Sequence, residues 1–145
     1  MTDWSGFREG LAEQLTTLAG GSTLIIGEGG AAARFAQFRQ SSGSLSAELV
    51  GDHYLGPSVR AGEAGSRLIS EAGWLRPEDT AYGHNWHTEL PWPSDSAAYR
   101  RLAAMTVTGL RDGLGIAGPD ELVYRAWTRG NRDLRLPLLG LIAQS

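Results

Sequence analysis

The chain of 145 residues contains neither cysteine nor lysine. Without cysteine there is no disulfide, no thiol nucleophile and no cysteine-ligated zinc, and a reducing compartment fits. All 13 basic residues are arginine, which reads first as a high-GC codon signature rather than as a device for binding anions. There is no basic surplus either. A formal net charge of −3 argues against a dedicated nucleic-acid binder, whose affinity depends on neutralising phosphates. No basic-then-apolar leader precedes Trp4, and no apolar run approaches the roughly 18 residues of a membrane span, so a soluble, cytosolic protein is expected.

Catalytic motifs are missing as well. No Gly-x-Ser-x-Gly elbow is present. Gly27-Glu28-Gly29-Gly30-Ala31 has glycines that could cradle an anion, but no Gly-Lys-Ser/Thr follows and the next segment has strand composition, so a hairpin turn is the better reading. His84 and His87, with Asp79 and Glu89 nearby, could be drawn as a metal site of a hydrolase. Three-residue spacing converges on a helix and not on a strand, however, and Gly83 and Pro91 discourage a helix; surface loop histidines are the plainer account. The acidic pairs Glu78-Asp79 and Asp120-Glu121 stand beside prolines, where they suit helix starts. No convergent acid, base, nucleophile or metal set remains, so a domain that holds something is expected over one that transforms it, with no enzyme activity and no cofactor.

What is present is one domain of ordinary composition, 41% apolar and 20% charged, with 20 glycines marking many turns. Residues 1–145 read as a single unit with a core over about 3–127 and an apolar tail over 128–145. Trp4, Phe7, Leu11, Leu15 and Leu18 share one side of a first helix, capped by Asp3 or Ser5 and ended by Gly20-Gly21. Ser22–Gly27, Arg34–Gln40 and Leu45–Val50 read as three antiparallel strands. Phe35 and Phe38 lie an odd number of residues apart, so they face opposite sides of the sheet. Glu63–Ala72 is a helix with Leu68, Ile69 and Ala72 inward, ending at Gly73, with Trp74 packed behind it.

Farther on, Tyr82–Trp92 is an aromatic, proline-bracketed segment with a strand near Asn85–Leu90. A longer helix opened by Ser94 or Ser96 carries Tyr99, Leu102, Ala103, Val107, Leu110 and Leu114 on one face. Leu122–Trp127 is a last strand or a helical turn, and periodicity does not choose. Leu134–Ile142, broken by Pro137 and Gly140, could cover a sheet edge, contact a second subunit or continue further. Five tryptophans are unusual; Trp74 suits the core, whereas Trp86 and Trp92 lie in a polar setting that suits a groove.

These residues resemble the superfamily that unites YbjN-like proteins with type III secretion chaperones, TY-Chap. The resemblance is carried by the helix ending near Leu18, the strands Ala33–Phe38 and Leu45–Val50, the helix through Leu68, Gly73-Trp74 with Pro77, and Asn85-Trp86, over most of residues 11 to 127. It implies an α+β fold, a twisted antiparallel sheet of three or more strands with helices on one face. It also implies a non-enzymatic role in binding a polypeptide segment, often as a dimer. Pro91-Trp92-Pro93 and the tail depart from the shared pattern. The expectation is a chaperone-like module that takes a peptide or protein client, including a secretion client, on the outward sheet face and the aromatic segment. Phe38, Leu49, Trp86 and Trp92 are the expected apolar anchors. The alternative is a self-associating subunit using the Leu134–Ile142 tail; a hydrolase using His84, His87 and Glu89 is the enzymatic option.

Overall fold

A computed structural model describes residues 2–29, 34–81 and 83–144. Helix α1, Trp4–Thr17, starts where the Asp3 carboxylate accepts from the Gly6 amide, satisfying one of the donors that a helix start leaves open. It ends before the glycine pair expected to stop it, with Leu18 already extended. Phe7, Leu11, Leu15 and Leu18 are buried, as their spacing requires.

Strands β1 (Thr23–Glu28), β2 (Phe35–Gln40), β3 (Ser44–Leu49), β4 (Trp86–Pro91), β5 (Leu122–Trp127) and β6 (Ile142–Ala143) form one sheet in the order β4-β3-β2-β1-β5-β6. All pairs are antiparallel except β5 with β6. Leu122–Trp127 is thus a strand, entered through a short turn at Pro119–Glu121, and it lies next to β1 inside the sheet. Of the hairpin turn at Glu28–Gly30, Gly30 lies outside the described residues, as do Ala31 and Ala33; so does Tyr82 of the aromatic segment.

Helix α2, Gly62–Ala72, ends at Gly73 with φ of 121°, a backbone that favours glycine. Its buried residues are Gly65 and Ile69, and Ala72 packs against the core in part; Leu68, expected inward, is exposed, because the helix rests on the π-turn Thr108–Gly113 through its glycine side. Helix α3, Ser96–Val107, is capped by Asp95, not by the flanking serines, and runs into a π-turn over Thr108–Gly113. All six residues assigned to its buried face are buried. Trp74 is buried too, and its indole N–H donates to the Met105 carbonyl at 3.0 Å.

Alternate residues along each strand face the helices: Leu24, Ile26, Ala36, Phe38, Leu45, Ala47, Leu49, Trp86, Tyr124 and Ala126 belong to this core. At one end of the sheet Arg34 clasps Glu28 through two hydrogen bonds, at 2.7 and 2.5 Å, and donates a third to the Leu114 carbonyl at 2.7 Å. The hydrogen bonds from Arg34 first, and its charge after them, hold the Glu28 carboxyl below its ordinary range against the opposing effect of burial. A lowered folded value contributes stability above the unfolded carboxylate range and loses it as pH falls through the folded value. Glu28→Gln should therefore be less stable than the parent near neutral pH and lose less on acidification, so that urea midpoints of the two chains converge as pH falls to about 3.

The tail is part of the structure. Leu136 and Leu139 are buried, the Leu136 amide donates to the Tyr124 hydroxyl and the Leu138 amide to the Gln14 side chain, both at 2.9 Å. β6 and residues 132–134 together run along β5. Of the three options open for this segment, covering a sheet edge is the one observed.

Candidate functional site

The helices pack on one face of the sheet, and the opposite face is only partly open among the described residues: Thr23, Gly27 and His87 on it are buried, and the others are half-buried or exposed. The register sets its layout. In one row stand Val123, Gly27 and Phe35; in the next Arg125, Ile25, Gln37, Glu48 and His87; in the third Trp127, Thr23, Arg39, Ser46 and Glu89. Ile25, Phe35, Val123 and Trp127 are half-buried, while Arg39 and Arg125 are exposed. An apolar residue half-open to water in the middle of a sheet has surface left to cover, at about 25 cal/mol for each Å² removed from water.

Gly27 shapes the centre of this face. A Cβ there would stand 2.9 Å from both the Arg34 carbonyl oxygen and the Phe35 Cβ, so only glycine lets Phe35 lie this close. The result is a depression of about 730 Å³ over β2, β1 and β5, with Ile25, Phe35, Val123 and Arg125 among its walls and Ala143 and Gln144 closing one side. The Arg125 guanidinium lies 5.6 Å from the centre of the Trp127 ring, a cation–π distance.

The edges offer less. On β5, the carbonyls of Ala126 and Tyr124 already accept from Leu134 and Gln144. On β4, Leu75 pairs with His87 in both directions, and Pro91, which has no N–H, ends the strand. Strand addition by a partner has little free ladder to use at either edge.

The four expected anchors fall differently. Phe38 and Leu49 are both 0% exposed and Trp86 is 3%, because their strand parity points them at the helices; they do not form an outward surface. Trp92 is 37% exposed, just past β4, at the start of the cis Trp92-Pro93 peptide. The four are therefore not brought together. Phe35, passed over for Phe38, has the outward parity and is half-buried, packed in part against the core; the odd spacing carried that choice but not its answer. Trp127 was missed because Leu122–Trp127 could not be assigned to a strand.

The histidines do not converge on a metal. His84 stacks on His53 with ring centres 3.7 Å apart, whereas His87 and Glu89 lie along β4. Among the described residues no group of three or more His, Asp or Glu side chains could hold an ion, and no helix is long and apolar enough to cross a membrane.

A sheet with helices on one face and a shallow, partly apolar depression on the other defines an α+β domain with a helix-free sheet face. Residues 1–128 match the family model TY-Chap3, described as T3SS (YopN, CesT) and YbjN peptide-binding chaperone 3, and the chain belongs to that family. Comparison with curated proteins and with solved structures returned no match. The family is one of peptide-binding chaperone domains, which agrees with the resemblance read from the sequence.

Proposed function

We propose that this protein is a non-enzymatic, chaperone-like module that holds an extended segment of a client polypeptide against the helix-free face of its sheet. The observation that carries this reading is the half-open apolar group Ile25, Phe35, Val123 and Trp127 around Gly27, in a member of a peptide-binding family. An extended chain laid there covers apolar surface without disturbing the core, and side-chain pockets supply selectivity. No cofactor is needed for such a role.

The test uses a labelled, permanently unfolded probe, reduced and carboxymethylated α-lactalbumin, with fluorescence anisotropy as readout. The parent chain should bind it. Ile25→Ser with Val123→Ser should weaken binding about tenfold or more, the loss expected from removing two apolar contacts of about 1 kcal/mol each. Because neither side chain packs on the core cluster, thermal unfolding should change little. Unchanged binding by the double variant would remove the proposal.

Self-association through the tail is the weaker reading, since Leu136 and Leu139 are spent on the chain's own core. Removing residues beyond Arg132 strips that packing, so loss of an oligomer in such a chain has to be separated from loss of the fold by circular dichroism.

A further inference from the structure

The charges on the open face are not distributed at random. Phe35, Ile25 and Trp127 occupy successive diagonal positions on β2, β1 and β5, since Gly27 pairs with Phe35, Ile25 with Arg125 and Thr23 with Trp127. This stripe crosses the sheet obliquely. Arg125 stands on one side of it, beside Ile25, and Arg39 on the other, beside Thr23. Both arginines are exposed, and neither takes part in an ion pair with a described residue. Glu48 and Glu89 share the face but stand on β3 and β4, so over β2, β1 and β5 the charges that flank the apolar stripe are the two guanidinium groups.

With strands about 4.8 Å apart and alternate residues about 6.8 Å apart, the stripe from Phe35 to Trp127 is about 17 Å long, the reach of about five extended residues. Such a segment would rest its apolar side chains on the stripe and bring flanking side chains over Arg39 and Arg125. Guanidinium groups recognise carboxylates through paired, charge-assisted hydrogen bonds.

We infer that the client segment taken by this face is short, extended and acidic: apolar residues interspersed with Asp or Glu, the apolar ones on Phe35, Ile25 and Trp127 and the carboxylates on Arg39 and Arg125. This rests on the proposed use of the face for polypeptide binding. Aromatic side chains and arginines on a sheet also suit single-stranded nucleic acid. A polyphosphate chain would bring a charge with every unit to a face that offers two flanking arginines and also carries Glu48 and Glu89, whereas a peptide needs only the few carboxylates that meet Arg39 and Arg125, so a peptide is favoured.

The experiment compares three labelled peptides of one length with the same apolar residues, carrying Asp, Ser or Lys between them, and a labelled oligothymidylate. The parent chain should bind the Asp peptide about tenfold more tightly than the Lys peptide, with the gap closing at high salt. The double variant Arg39→Glu, Arg125→Glu should reverse the order while keeping the parent's thermal melt, both positions being exposed. Equal affinity for the three peptides, with binding still lost in Ile25→Ser, Val123→Ser, would overturn the acidic client and leave the binding face standing. Tighter binding of the oligothymidylate than of the Asp peptide would overturn it in favour of nucleic acid. Failure to bind any peptide or the unfolded α-lactalbumin would overturn both the acidic client and the face.

Discussion

Replacing Phe38 with alanine should lower the unfolding free energy by about 3–5 kcal/mol, the range for an aromatic side chain removed from a close-packed interior. Phe38 is 0% exposed and stands between Leu24 and Ala47, which are 0% exposed as well, so neither strand can shift to fill the space without moving its own core contacts. Urea denaturation at equilibrium measures the loss. The comparison with Ile25→Ser gives the number its meaning: the two positions lie on neighbouring strands but on opposite faces, and only the helix-covered one should be costly. If Phe38→Ala proved nearly neutral while abolishing capture of the unfolded probe, Phe38 would be a contact residue and the assignment of faces would be reversed.

Gly10→Ala should destabilise the protein by about 1–3 kcal/mol, the usual cost of forcing added volume into a filled space. Helix propensity alone gives the opposite sign, since alanine inside an exposed helix gains about 1 kcal/mol over glycine. Space decides the matter. A Cβ on Gly10 would lie 1.8 Å from the Leu138 carbonyl oxygen and 2.7 Å from its carbon, and backbone, unlike a side-chain tip, cannot swing aside. Either α1 or the tail must move, and the tail is held by less of the structure. Its displacement would expose Leu136 and Leu139 and strain the hydrogen bonds to Tyr124 and Gln14. Thermal melts report the stability, and trypsin cleavage after the exposed Arg132 and Arg135 should become faster in the variant. A gain in melting temperature, with cleavage unchanged, would mean that the tail is not seated on α1.

The elements were legible where one period ran unbroken. The apolar spacing of α1 and α3 and the alternation of Leu45, Ala47 and Leu49 each identify an element and the residues that share its inward side, because backbone geometry alone fixes which side chains are neighbours. Helix α2 was legible in extent and in the inward placing of Ile69 and Ala72, but not in the exposure of Leu68 or the burial of Gly65. Its buried positions, Gly65 and Ile69, are chosen by a close crossing in which a Cβ on Gly65 would meet the Gly113 carbonyl oxygen at 2.4 Å, a contact 48 residues away in the chain. Leu122–Trp127 was ambiguous because six residues fit a strand or a helical turn equally well, and the neighbour that decides, β1, is remote in sequence.

The helix-free face shows the same division. Sequence determined that Phe35 and Phe38 point to opposite sides, that the charge is modestly acidic without a basic tract, and, through the family pattern, that the chain belongs to a family of peptide-binding chaperone domains. Only the tertiary structure decided which aromatic is sealed and which is open, that the tail closes the β5 edge, and that Arg39 and Arg125 flank one apolar stripe. Parity along a strand is a property of the local backbone. Which face receives the helices, and which residues of separate strands become neighbours, depends on contacts between segments that no local period records.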